Sequence, residues 1–252
     1  MSTFNEANYP TREAVPKINL RFPRPVQALH QIEMTSKCNL RCTYCVSPNL
    51  QREKVDMTEE HFRAALKHVQ HYVDAKTQNQ LNLAGIGEST IHPRFIEFLR
   101  IARETLPDTI LLFATNGVAF TEEIAKTMSD IGMCFCWVSL HRPEKGGPAV
   151  QLAKKYMVLA GAASDPATNA NDWAGQVDWF VSHPEVMPCR WLRYGLATVL
   201  ADGRISACCI DGSGDGTIGH VDDVVGSLRT KPYKLCKPCH HEVGVINYNQ
   251  QG

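Results

Sequence analysis

Apolar positions along residues 30–183 alternate between two periods. HQIEMTS (30–36) reads as a short strand, and behind the start signal Thr58-Glu59-Glu60 the residues Phe62, Leu66, Val69 and Val73 return at helical spacing. LNLAG (81–85) predicts a second strand, followed by a helix that Pro93 opens and that carries Phe95, Leu99 and Ala102 on one face. ILLFAT (110–115) predicts a third. Thr121 caps a helix with Ile124, Met128 and Ile131, and CFCWVSL (134–140) predicts a fourth strand of the near-continuous apolar kind that parallel sheets bury. VDWFVS (177–182) is a weaker fifth. Strands alternating with helices predict an α/β fold, a partial (β/α) barrel of five to six parallel strands, with function on the loops at the strands' C-terminal ends.

The flanks differ from this centre. Residues 1–29, with Pro10, Pro16, Pro23 and Pro25, predict an irregular arm too short for a separate recognition domain. Residues 30–183 are expected to form the barrel and 184–252 a small C-terminal domain. There GLATVLADGRISACC is two β-rich runs joined by Asp202-Gly203, a strong hairpin signal, followed by a Gly-rich stretch and LCKPCHH. So small a unit has little core, and cysteines at a hairpin base with a later C-x-x-C suggest that metal ties it together. GSGDG (212–216) lacks the Lys-Ser/Thr of a phosphate-binding loop and reads as a turn.

Composition narrows the function classes. The 252 residues carry 26 basic and 26 acidic side chains, so no net field favours stable nucleic-acid binding. No apolar run reaches the roughly 18 residues of a membrane helix, and the first thirty residues lack a signal-peptide pattern, which predicts a cytoplasmic protein without a membrane partner. In that reducing compartment, ten cysteines grouped in short clusters point to metal before disulfides.

Cys38, Cys42 and Cys45 are spaced C-x3-C-x2-C immediately after the first predicted strand. Three thiolates can hold a four-iron cluster and leave one iron open, whereas structural zinc takes four protein ligands and would need a distant residue such as His92 or His141. MTSKCNLRCTYCVSP, including Tyr44 before the third cysteine, resembles the cluster loop of the radical SAM (S-adenosylmethionine) superfamily. LAGIGESTIHP is similar to that family's Gly-Gly-Glu-like segment through Gly87 and Glu88, departing from it at Ile86 and Ser89. The resemblance implies that Cys38, Cys42 and Cys45 are the catalytic cluster ligands and that S-adenosylmethionine chelates the open iron. Its ammonium would be received by the Glu88 carboxylate and nearby backbone carbonyls. Asn116 and Ser139, at the ends of the third and fourth strands, are implied ribose and methionine contacts, and Tyr44 and His141 complete the cofactor-facing set. Read alone, Glu88 is an ordinary carboxylate at a helix start, Tyr44 a packing residue and His141 an exposed loop residue.

A second constellation lies downstream. Cys189 is followed by thirteen residues, Gly203, four more residues and Cys208, and Cys236 and Cys239 form a C-x-x-C. This resembles the shortened auxiliary-cluster domain called twitch, related to the SPASM group, which implies a second, fully ligated [4Fe-4S] cluster serving electron transfer or scaffolding. A zinc ribbon has the same cysteine plan. The glycine count favours Cys208 over Cys209, while Cys134 and Cys136 read as core or barrel lining.

The resemblance implies reductive cleavage of S-adenosylmethionine to methionine and a 5′-deoxyadenosyl radical that abstracts hydrogen from a small-molecule or nucleotide-type substrate. An electron donor such as flavodoxin or ferredoxin is implied. The net reaction would be an oxidation like that of 2-deoxy-scyllo-inosamine dehydrogenase, an isomerisation, or a peptide modification. The competing class is a non-catalytic iron-sulfur or zinc protein, which would need a fourth protein ligand at the first site.

Overall fold

The computed structural model describes residues 21–163, 173–178, 189–236 and 238–239. Its strands are β1 (Arg24–Pro25), β2 (Ala28–Ile32), β3 (Gln80–Asn82), β4 (Ile110–Thr115), β5 (Cys134–Ser139), β6 (Leu159–Ala163), β7 (Leu196–Val199), β8 (Arg204–Ser206), β9 (Thr217–His220) and β10 (Arg229–Thr230). The helices are α1 (Glu59–Asp74), α2 (Phe95–Thr105), α3 (Glu122–Ile131), α4 (Pro143–Lys155) and the short α5 (Arg190–Tyr194). Eight strands form one open sheet in the order β6-β5-β4-β3-β2-β7-β8-β9, while β1 and β10 pair separately. The strands from β6 to β7 run parallel, giving six parallel strands of an unclosed barrel, and β8 and β9 extend it antiparallel.

The predicted caps form. Thr58 Oγ1 accepts from the His61 N–H at 3.2 Å, and Thr121 Oγ1 from the Ile124 N–H at 3.3 Å, each satisfying a backbone donor that the helix leaves free. Phe62, Leu66 and Val69 of α1, Phe95, Phe98 and Leu99 of α2, and Ile124 and Met128 of α3 are buried in the main core, where Phe62 stacks on Phe98. Cys134 and Cys136 also lie in this core, on the helix side of β5.

Two elements are absent from the sequence reading. The helix α4 and strand β6 fill the interval after β5, where Gly146-Gly147-Pro148 looks like a turn. A Cβ on Gly146 would lie 2.5 Å from the Asn116 carbonyl oxygen, so this glycine is what lets α4 pack against the end of β4. The strand expected at 177–182 is not seen at Val177 and Asp178, which lie outside any strand; its other residues fall outside the described ones. Strand β7, the first arm of the predicted hairpin, has a second role: it pairs parallel with β2 and supplies the sixth parallel strand.

That junction is held by a buried charge. Both Glu33 carboxylate oxygens accept from Arg52 Nη2 at 2.6 and 2.8 Å, and they also accept the N–H groups of Ile86 at 2.8 Å and Ala201 at 3.2 Å. One carboxylate just beyond β2 thus fixes both the loop after β3 and the turn of the β7–β8 hairpin. Replacing Arg52 with Met should cost about 3–5 kcal/mol in urea unfolding, because a buried carboxylate loses its counter-charge. The double variant Glu33→Gln/Arg52→Met should recover part of that loss; equal instability of single and double variants would contradict the coupling.

Candidate active site

The loop after β2 is pinned at its base. Thr35 Oγ1 donates to Asp56 Oδ1 at 2.6 Å, the Ser36 N–H donates to the Val55 carbonyl at 3.0 Å, and Lys37 pairs with Asp56 at 2.7 Å. Beyond this base, a turn from the Cys45 N–H to the Cys42 carbonyl at 3.2 Å draws the cysteines together. The N–H groups of Leu40 and Ser47 point at Cys38 Sγ and Cys45 Sγ, both at 3.4 Å. Burial raises both thiols, Cys45 to about 11, and neighbouring thiols add to the rise. Such sulfurs are poor anions alone and become good ones only when a cation shares the site.

The loop after β3 lies against the cluster loop at a distance that admits only glycine. A Cβ on Gly87 would stand 2.1 Å from the Thr35 carbonyl oxygen and 2.5 Å from that of Lys37. With nothing in the way, the Glu88 N–H donates to the Lys37 carbonyl at 2.8 Å. The Glu88 side chain then turns inward, 4% exposed, and accepts four hydrogen bonds. Oε1 takes the Thr90 N–H at 3.2 Å and the hydroxyls of Thr90 and Thr115 at 2.6 and 2.7 Å; Oε2 takes the Asn116 N–H at 2.6 Å. Glu88 therefore ties the end of β4 to the cluster loop, and Oε2, which takes a single donor, keeps capacity to accept another. Burial nevertheless holds this carboxyl above the ordinary glutamate value of 4.5, with the hydrogen bonds opposing the shift.

The residues predicted from four separate strand ends come together. One open cavity of about 260 Å³ is lined by Cys38, Cys42 and Cys45, by Tyr44, by Gly87 and Glu88, and by Asn116, Ser139 and His141. Asn116 Nδ2 donates to Asn39 Oδ1 at 2.7 Å, which fastens the end of β4 to the cluster loop a second time. Tyr44 Oη and His141 Nδ1 are 2.7 Å apart, and burial lowers the histidine's pKa. The phenol and the imidazole share one hydrogen bond, whose donor follows from the histidine tautomer.

Sequence reasoning missed Trp173, Ala114 and Ile86, which share the lining. Trp173 Nε1 donates to the Tyr44 carbonyl at 3.0 Å and holds the cluster loop from outside the barrel's strand order. Its surrounding Ala, Asn and Asp residues give no periodic signal. Of the two histidines considered as zinc ligands, His92 is ruled out by its bonds. Its Nε2 meets the Met57 carbonyl at 3.0 Å and its Nδ1 accepts the Arg94 N–H at 3.1 Å, so neither nitrogen is available.

The second set of cysteines also gathers. Cys189 caps α5 and packs with Cys236, Leu192 and the partly buried Tyr233. Burial pushes the Cys189 thiol up to about 12, and Cys208, Cys236 and Cys239 raise it further through their proximity. Cys236, raised to about 11, likewise feels Cys208. Cys208 and Cys209 are adjacent and both partly buried, and Cys208 is close enough to raise the thiols of Cys189 and Cys236.

This open barrel with a cysteine-lined mouth has counterparts. The sequence model of the radical SAM superfamily matches residues 32–142, the segment that runs from the end of β2 to just beyond β5. A tungsten-containing aldehyde ferredoxin oxidoreductase cofactor-modifying protein of Pyrococcus furiosus is 31% identical over 109 residues, 43% of this chain and 29% of the relative. A GTP 3',8-cyclase of Chlorobaculum tepidum is 32% identical over 106 residues, 41% and 30% of the two chains. The match thus spans less than a third of either relative. Among solved structures, BtrN in complex with AdoMet and 2-DOIA superposes with a TM-score of 0.65 over 79% of this chain and 80% of that one, at 20% identity. Native anSMEcpe with AdoMet and a Cp18Cys peptide gives 0.54 over 80% and 79%, at 16% identity. These two likenesses concern the fold.

The raised Glu88 carboxyl has a signed consequence for stability. The folded chain holds this proton more tightly than the unfolded one, so wild-type stability should fall relative to Glu88→Gln as pH rises above about 4.5 through the raised folded value. At neutral pH the Glu88→Gln change should still cost about 1–3 kcal/mol, since the new amide cannot accept from the Asn116 N–H while serving the threonines. Urea unfolding of both proteins between pH 4 and 8 checks the sign; a gain with rising pH would refute it.

Proposed function

We propose that the protein is a radical SAM enzyme acting on a small-molecule or nucleotide-type substrate, with an auxiliary cluster in its C-terminal segment. One observation carries the reading: residues from four strand ends, chosen by motif and register, line one cavity with three thiols on one wall. The donor set fits a [4Fe-4S] cluster held by Cys38, Cys42 and Cys45 with one iron left for S-adenosylmethionine. A closed zinc site would need a fourth protein ligand: His92 is committed through both nitrogens, which leaves His141 through Nε2 as the alternative that the iron assay tests. When bound, the two groups supply reductive cleavage to methionine and a 5′-deoxyadenosyl radical that takes hydrogen from the substrate.

The chain's own part is positional. Gly87 brings the β3 loop under the cluster loop, and the Glu88 carboxylate with nearby backbone carbonyls would receive the methionine ammonium. Asn116 and Ser139, at the ends of β4 and β5, line the same cavity and would meet the ribose and methionine. Tyr44 and His141 close one side and limit water.

Support for a small substrate comes from the concave face of the sheet. There Gln31 and Asn82, hydrogen-bonded at 3.3 Å, are only partly buried, and Trp137 lies 46% exposed over Gly161. Polar amides on β2 and β3 with an aromatic ring on β5 suit a polar or heterocyclic molecule. The relatives named for GTP and for a tungsten cofactor, and the fold neighbour solved with 2-DOIA, agree in scale. Cys189, Cys208, Cys236 and Cys239 would hold the second cluster. Full ligation by protein leaves that cluster to accept or pass an electron, which favours net oxidation with flavodoxin or ferredoxin as the one-electron donor in the cytoplasm.

Anaerobic reconstitution with iron and sulfide, followed by an assay for 5′-deoxyadenosine, tests the first site. Cys42→Ala should abolish that product, and retained cleavage would refute the ligand assignment. Cys236→Ala should lower iron from about eight to about four per chain while preserving the first cluster. Loss of all iron in that variant would contradict two independent sites.

A further inference from the structure

Outside the cavity, the first turn of α1 meets the end of β9. We propose that His61, His220 and Asp222 form a site for one divalent transition-metal ion, zinc in chemical class, which clamps α1 to the hairpin turn of the C-terminal segment. One donor atom from each residue lies within 4.8 Å of the others, and among the described residues this is the only such trio. Adjacent ligands of a tetrahedral ion bonded at about 2.0–2.1 Å stand about 3.4 Å apart, so small side-chain rotations close the set.

Three further observations point to the same spot. His61 Nδ1 is buried and has no hydrogen-bond partner, a costly condition that a bound cation relieves. Gly203, at φ +89°, leaves open the space between the rings: a Cβ there would lie 2.6 Å from His220 Nε2 and 2.9 Å from His61 Nδ1. Asp222 Oδ2 stands 3.0 Å from His220 Nδ1, so the carboxylate is already beside the imidazole that it would orient or join as a ligand. Asp222 is largely exposed and His220 partly so, which gives an ion a path in from solvent.

The surroundings are prepared as well. The Val221 N–H donates to the Gly203 carbonyl at 3.0 Å, and His68 Nε2 meets the Val221 carbonyl at 3.1 Å, so the segment bearing His220 and Asp222 is docked on both the turn and α1. The same turn carries Ala201, whose N–H binds Glu33. An ion here would therefore brace the hairpin that leads to Cys208 without touching the cavity. Two imidazoles and a carboxylate are borderline-hard donors that suit zinc, cobalt or nickel over magnesium.

The test uses the full chain with its clusters assembled anaerobically. After incubation with zinc sulfate and gel filtration, wild type should retain one more zinc per chain than His61→Gln or His220→Gln. Asp222→Asn, an exposed change that leaves folding intact, should weaken binding about 10- to 100-fold. Cobalt(II) separates this site from vacant thiols: bound by nitrogen and oxygen it lacks the intense near-ultraviolet sulfur-to-metal band. Zinc should also raise the thermal midpoint of wild type and leave that of Asp222→Asn nearly unchanged. Equal zinc content in wild type and Asp222→Asn at limiting metal, or a cobalt spectrum dominated by sulfur ligation and indifferent to the histidine variants, would overturn the proposal.

Discussion

A steric constraint underlies the geometry of the candidate site: the loop after β3 passes so close to the loop after β2 that position 87 has no room for a side chain. The carbonyl oxygens of Thr35 and Lys37 occupy the space where a Cβ would stand. Because that contact is made through backbone, the Glu88 N–H can bond Lys37, and the Glu88 carboxylate is delivered under the sheet to collect Thr90, Thr115 and Asn116. Three successive strand ends become one unit. A larger residue at 87 would separate the cluster loop from the Glu88 loop and with it dissolve the cavity's floor.

The buried Glu33 extends this logic to the other edge. Its oxygens gather Arg52 from the cluster-loop return, Ile86 from the β3 loop and Ala201 from the hairpin turn. Arg52 keeps Nε and Nη1 buried without hydrogen-bond partners, so the pair is not an optimised stabiliser and its worth is in fixing position. Since β7 is hydrogen-bonded to β2, the hairpin that carries Cys208 is an extension of the sheet that carries Cys38. The loop bearing Cys38 and the segment bearing Cys208 therefore both leave strands of one sheet, β2 and β8.

Much of this was legible in the sequence where a local rule operates. The caps at Thr58 and Thr121, the strand at 110–115 and the hairpin at Asp202-Gly203 rest on short-range chemistry. The cysteine spacing and Gly87-Glu88 gave the site because the motif itself is local. What was hidden depends on partners far along the chain. Gly146 reads as a helix breaker until the Asn116 carbonyl is seen to need its space, and β6, LAGAA, lacks branched residues because Gly161 lies beneath the Trp137 ring. Thr90 and Thr115 are ordinary threonines until a buried carboxylate requires donors. His61 and His220 have no sequence relation at all; a turn of φ +89° at Gly203 brings them together.

The strand CFCWVSL shows why a hydrophobic run can mislead in an open barrel. In a doubly covered parallel sheet every side chain is buried, and such a run carries no information about faces. Here Cys134, Cys136 and Val138 are buried against the helices, while Trp137 is 46% exposed and Ser139 lines the cavity. Among the described residues the second face is less closely covered, and the sheet does not close on itself. Trp137 and Ser139 share one face of β5, and Ser139 lines the cavity that reaches the cysteines, so the face left uncovered by helices is the one that leads into the candidate site.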